Sequence, residues 1–242
     1  RNPDVLVQAP ALAQATGLVA GPQLRTMGTL GGNVMLDTRC QWYNQTYFWR
    51  QSLGFCMKKD GTECHVVKGG SRCVAAASND TAPALMSLDA ELRFVGPAGE
   101  RRMKVEELWQ ADGIWNKKVG PQDLLVEIRV PATPAGHHGA YGKLRDRNSI
   151  DFPLFGLAVR MDLAANGSVS TIALVAVALQ ARRHLADGIE GVGFMVAAGD
   201  ALEHDAAHGA VAAAVLVLAG LELEPGQFDL VVQRHGLVGK LT

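Results

Sequence analysis

Apolar positions change their period several times along this chain, and the changes mark its elements. From Pro10 to Val19 the residues Leu12, Ala15 and Val19 recur at helical spacing, with Val5 before them, and Ala20-Gly21-Pro22 ends the pattern. A second helix is predicted after Ser78-Asn79-Asp80. These residues can cap it, Pro83 is tolerated in its first turn, and Ala84, Leu85 and Leu88 form its buried face. Ala90–Val95 reads as a strand, Pro97-Ala98-Gly99 as a turn and Arg101–Val105 as the return strand. A short helix at Val105–Leu108 and a strand at Leu124–Val130 follow, with Glu106 and Glu107 expected in solvent.

Pro131, Pro134, Gly136 and Gly139 then break all periodicity, which predicts a domain boundary with His137 and His138 in a solvated loop. Beyond it, Phe155–Leu163 and Ser168–Ala178 read as strands joined at Ala165-Asn166-Gly167, a hairpin signal. Ala197–Leu221 is alanine-rich and reads as helix. No chemistry is assigned beyond residue 180.

Composition narrows the class. With 48% hydrophobic and 19% charged residues, the 242-residue chain is globular and long enough for one or two cores. A net charge of −1 gives no basic excess for nucleic acid. The apolar run Ala210–Leu221 is shorter than the roughly 18 residues of a membrane span. With no secretory signal, a cytoplasmic setting with reduced cysteines is expected.

Every cysteine lies in one stretch: Cys40, Cys56, Cys64 and Cys73, spaced C-x15-C-x7-C-x8-C. Buried thiols, two disulfides in one of three pairings, or a four-thiolate metal site would each use four cysteines. Structural zinc favours short C-x2–4-C knuckles, absent here, whereas a long loop can bring thiolates to an iron–sulfur cluster from several sides. Lys58, Lys59, Lys68, Arg39 and Arg72 outnumber Asp37, Asp60 and Glu63 and would offset thiolate charge. His65 beside Cys64 is read as a neighbour of the site rather than a ligand. Before the cysteines, Thr29-Leu30-Gly31-Gly32-Asn33 is a turn whose backbone a ligand can approach closely. A plain turn would look the same.

The segments Cys40-x-Trp42-Tyr43-Asn44-Gln45, Phe48-Trp49-Arg50, Cys56-Met57-Lys58-Lys59-Asp60-Gly61, Cys64-His65-Val66 and Gly70-x-x-Cys73 resemble the cluster-bearing loop of 4-hydroxybenzoyl-CoA reductase β subunits. Those are flavoproteins of the xanthine oxidase (molybdenum hydroxylase) family. The resemblance implies an α+β fold: the latter part of an FAD-binding domain over residues 1–133, an inserted cysteine loop at 38–77, and a small C-terminal domain over 137–242 with a three-stranded sheet plus helices. It implies a 4Fe-4S cluster on the four cysteines and FAD contacts from Thr29, Gly31, Gly32 and Asn33. Asp80, otherwise a helix cap, would lie at the flavin, and Lys143, otherwise a surface lysine, would reach it from the C-terminal domain. Arg147 is read as structural.

The family's flavin domain has an earlier glycine-rich segment that grips the FAD pyrophosphate. Nothing before residue 20 matches it, so the chain is expected to be a fragment. No nucleophile or acid–base pair suggests substrate chemistry here. The implied function is electron transfer between an external carrier such as ferredoxin or NAD, the FAD and 4Fe-4S groups, and partner subunits holding 2Fe-2S centres and molybdopterin. A zinc-stabilised interaction module without redox activity is the competing reading.

Overall fold

Proline opens each of the first three helices, where its missing N–H removes a donor that a helix start cannot satisfy internally. The computed structural model describes residues 2–110 and 112–178, and the backbone of three further stretches at 195–198, 228–233 and 236–241. Its first helices are α1 (Pro3–Gln8), α2 (Pro10–Leu18) and α3 (Pro22–Met27), followed by α4 (Leu30–Val34). Thr29 caps α4, its Oγ1 accepting from Gly32 N at 2.9 Å. Helix α5 (Tyr47–Ser52) lies within the cysteine loop, and α6 (Thr81–Ser87) follows it.

The strands predicted by alternation are present. β1 (Glu91–Gly96), β2 (Gly99–Lys104) and β3 (Leu124–Arg129) form an antiparallel sheet of order β2-β1-β3, with a single 3₁₀ turn at Val105–Leu108. β4 (His137–Leu144), β5 (Phe155–Leu163), β6 (Val169–Val177) and β7 (Met195–Ala198) form a second antiparallel sheet in that order. It has four strands, one more than the three expected. Ala197 and Ala198 belong to β7 rather than to a helix. The rest of the helix expected up to Leu221 lies outside the described residues. β8 (Phe228–Gln233) and β9 (Gly236–Leu241) pair as a hairpin.

One apolar core draws on both sides of the segment 131–139. Leu12 and Ala15 of α2, Leu85 of α6, Leu92 and Phe94 of β1, Leu108, and Tyr141, Ala158 and Val175 of the second sheet belong to one buried cluster. Each large side chain buried there contributes about 1.5–3 kcal/mol. His138 is exposed as expected, but the solvated reading fails for His137 for a related reason. His137 opens β4, and its Nδ1 lies 2.7 Å from Oδ1 of Asp162 with both side chains buried. Pro131, Pro134 and Gly136 end just before this strand, and Gly139 lies within it, paired with Arg160.

The cysteine loop is closed at its base. Arg39 and Ala76 form an isolated antiparallel bridge, N to O distances being 2.7 and 2.9 Å. Everything from Cys40 to Ala75 is an excursion from that bridge.

Candidate functional site

A mostly apolar cavity of about 580 Å³ lies at the ends of the first helices. The end of α2 and the start of α3 form one wall (Val19, Ala20, Leu24, Arg25). The capped turn of α4 forms the floor, with Thr29, Gly32 and Asn33 at the surface, and Asp80 and Thr81 stand beside it. Ile150, Asp151 and Phe152 come over from the β4–β5 connection.

Two positions on the rim are conformationally costly. Ala20 has φ 39° and Ile150 has φ 72°, left-handed values that a β-branched residue rarely adopts. Ile150 N donates to Ala20 O at 3.3 Å, so the two unusual residues hold each other and bind the β4–β5 connection to the end of α2. Strain of this kind concentrates where a ligand is clamped.

The polar groups near the cavity are held tightly. Asn33 Oδ1 accepts from both Thr81 N (3.0 Å) and Thr81 Oγ1 (2.6 Å), fixing α4 to the start of α6. Asn79 Nδ2 donates to the carbonyls of Asn33 and Val34 from below. Asp80 accepts from Tyr141 Oη at 3.0 Å and from Lys143 Nζ at 2.9 Å. Burial lifts the Asp80 carboxyl above its ordinary range, and the partial relief from Lys143 and Tyr141 does not cancel the effect. Burial, with the Asp80 charge beside it, pushes the Tyr141 phenol up as well, so it remains a donor. Gly156 makes this contact possible, since a Cβ there would lie 2.6 Å from Tyr141 Oη.

Positive charge at the cavity is less engaged. Arg25 Nη1 donates to the carbonyls of Val19 (2.7 Å) and Ala20 (3.2 Å). The Arg39 guanidinium stacks 4.0 Å over the Phe152 ring. Among the described residues neither arginine forms an ion pair with a carboxylate. An apolar cavity with two such guanidiniums and an exposed glycine turn suits a planar ligand that carries anionic groups.

A second, small cavity is lined by all four cysteines, together with Tyr43, Lys58 and His65. Cys56 and Cys73 are buried, Cys40 and Cys64 half-buried, and all four are free thiols. Burial raises the Cys73 thiol, opposed by the nearby Ala75 amide and Lys58. Cys64 Sγ lies 3.5 Å from the Val67 amide, which donates to it. His65 Nε2 is engaged by the Phe55 carbonyl, and its ring lies against Trp42. Among the described residues no three Cys, His, Asp or Glu side chains are drawn together around a single metal ion. The two sites are neighbours: a third cavity, of about 230 Å³, is lined by Arg39, Cys40, Gln41, Trp42 and His65. Arg39 thus borders both it and the large cavity.

Residues 2–133 match the family described as the FAD binding domain in molybdopterin dehydrogenase. The chain belongs to this family. Among relatives, it is 30% identical over 168 residues to the aldehyde oxidoreductase FAD-binding subunit PaoB of Escherichia coli, covering 66% of this chain and 52% of that one. It is 28% identical over 165 residues to the carbon monoxide dehydrogenase medium chain of Afipia carboxidovorans, covering 66% and 42%. The chain therefore spans about half the length of these curated relatives. Among solved structures, it superposes on carbon monoxide dehydrogenase from Hydrogenophaga pseudoflava with TM-score 0.51 and 25% identity, covering 73% of this chain and 47% of that one. Quinoline 2-oxidoreductase from Pseudomonas putida shares the fold at TM-score 0.53 and 18% identity, over 98% of this chain and 62% of that one.

In this FAD-binding domain, Thr29, Gly32, Asn33 and Asp80 come together at the large cavity. Gly31 faces away: a Cβ on it would meet Leu125 Cδ2 at 3.5 Å. Lys143 is fully buried, donating to Asp80 and, at 3.0 Å, to the Leu18 carbonyl, so it stands behind Asp80 rather than at the cavity surface. Asp80 makes no capping bond to α6. Arg147 pairs with Asp151 across the turn between β4 and β5, a structural role as expected. Arg25, Ile150 and Phe152 are cavity residues that the sequence reading gave no role, and Arg39, read there only as a cation offsetting thiolate charge, lines the cavity as well. Arg39 alone carried a signal, a cation next to Cys40.

Proposed function

We propose that this chain is the electron-transfer part of a molybdopterin-dependent oxidoreductase, holding FAD in the large cavity and a 4Fe-4S cluster on Cys40, Cys56, Cys64 and Cys73. The observation that carries the reading is the convergence of four free thiols on one cavity that also has a buried lysine in its wall. The loop supplies four thiols, the ligand number of a cubane cluster, and the Val67 amide directed at Cys64 is a bond that a coordinated thiolate would accept.

Thr29, Gly32 and Asn33 would approach the FAD through the backbone of the α4 turn, with Arg25 and Arg39 offsetting its phosphate charge. Phe152 would cover its plane. Asp80 would hold a fixed hydrogen-bonding edge toward the ring, kept in place by Lys143 and Tyr141. Bound FAD exchanges electrons in ones and twos, and the cluster in ones, so together they join two-electron chemistry to one-electron carriers. The partners in this reading are a molybdopterin-binding large subunit and a 2Fe-2S small subunit, with an external carrier such as ferredoxin or NAD. The likeness of the cysteine loop to that of 4-hydroxybenzoyl-CoA reductase supports a reductase of that type.

Anaerobic purification with iron, sulfide, zinc and flavin quantified tests the proposal. About four iron and four sulfide per chain with a reduced-cluster EPR signal is the expected result. Cys56→Ser should abolish that signal and leave bound flavin unchanged. One zinc per chain without iron would turn the assignment to a structural zinc module.

A further inference from the structure

The buried lysine in the wall of the thiol cavity is Lys58, and a second buried lysine, Lys117, lies near it. The Lys58 side chain is 4% exposed and lies in the wall of the cavity lined by the four cysteines. Its ammonium donates to Thr38 Oγ1 at 2.6 Å, to the Gly113 carbonyl at 2.8 Å and to Asp37 Oδ1 at 3.2 Å. Lys117 is also buried and close enough to interact electrostatically with Lys58, and its Nζ donates to Asn116 Oδ1 at 3.0 Å; burial lowers its ammonium below the ordinary lysine range, so it is the weaker cation of the two. The carboxylate that meets this pair is Asp37, which is 58% exposed and therefore weakened by water.

Burying an ammonium is costly unless an opposite charge compensates it. Of the three acceptors of Lys58 only Asp37 carries a charge, and that charge is solvated, so the buried ammonium in the wall beside the thiols is incompletely compensated. An anionic group in the cavity would close that balance. Four thiolates on a cluster provide one, and each added electron makes it more negative.

We infer that Lys58, supported by Lys117, is the counter-cation of the cluster and sets its reduction potential, favouring the reduced form. This rests on the cluster reading. A purely structural Lys58, tying Thr38 to Gly113, would be explained by the same hydrogen bonds, so the test must read potential rather than folding or turnover.

An EPR-monitored redox titration of the anaerobically purified chain separates these roles. Lys58→Met should keep four irons and lower the cluster midpoint by about 59 mV, a tenfold change in the one-electron equilibrium constant. Lys58→Arg, which keeps the charge, should restore the wild-type midpoint. Lys117→Met should move the midpoint in the same direction by a smaller amount, and bound flavin should titrate as in the wild type throughout. An iron-replete Lys58→Met chain with the wild-type midpoint overturns the inference. Should Lys58→Met lose its iron, an iron-replete Lys117→Met chain with the wild-type midpoint overturns it as well. A wild-type chain without iron removes the cluster reading itself, a failure distinct from an unmoved potential.

Discussion

Asp162 shows what a single carboxylate does in the second sheet. Burial alone would lift it, but hydrogen bonds from Arg160 (2.8 Å) and His137 (2.7 Å) outweigh burial and hold it below the ordinary carboxylate range. A depressed folded-state value means that its contribution is complete above the unfolded value, about 3.9, and is lost as pH falls through the folded value. Asp162→Asn should therefore cost about 3 kcal/mol at neutral pH, since it leaves Arg160 and His137 without their anion. It should also flatten the acid limb of a urea-unfolding series, and an unchanged acid limb would show that other carboxylates dominate. At this scale the sequence was only partly legible. Cys40, Cys56, Cys64 and Cys73 stood out because nothing else in the chain explains their clustering. His137 looked solvated because its buried partner lies twenty-five residues away, across a strand pairing that no local pattern encodes. Lys143 was placed in the right neighbourhood, but whether its ammonium meets a ligand or Asp80 depends on a three-dimensional contact.

Among elements, α4 and α6 form a reciprocal unit. Sequence favoured Asp80 as the cap of α6, a residue type that caps well at that position. The first amide of α6 is instead satisfied by Asn33 from α4, which frees Asp80 to accept from Tyr141 and Lys143. A distant amide can replace a local cap whenever two helix starts are packed together, and local rules do not see it. The strands were easier: period-two alternation and the turns at Pro97-Ala98-Gly99 and Ala165-Asn166-Gly167 are local signals. Asn33→Ala should remove both bonds to Thr81, destabilise the domain by about 1–3 kcal/mol and weaken FAD binding. Thermal unfolding with flavin titration checks both, and unaltered FAD affinity would separate Asn33 from the binding surface.

For the whole molecule, the apolar core, the large cavity and the cysteine loop are separable in construction. The core cluster contains none of the residues from Leu36 to Ala77. The loop instead returns to its own starting point at the Arg39–Ala76 bridge, and touches the body through Lys58 and through Gly113, whose lack of a side chain admits the Cys73 carbonyl and Sγ. Replacing residues 41–74 with a short glycine-rich turn should therefore leave a folded chain that binds flavin and contains no iron. Visible absorbance and circular dichroism report the two properties independently, and loss of the fold would show that the loop is part of the core.

A segment whose ends already meet can enter or leave a gene in one event. The ring of backbone at Arg39 and Ala76 makes the cysteine loop a heritable cassette. A lineage could gain or discard the loop without redesigning the domain that hosts it, and the ancestry of the loop need not be that of the body.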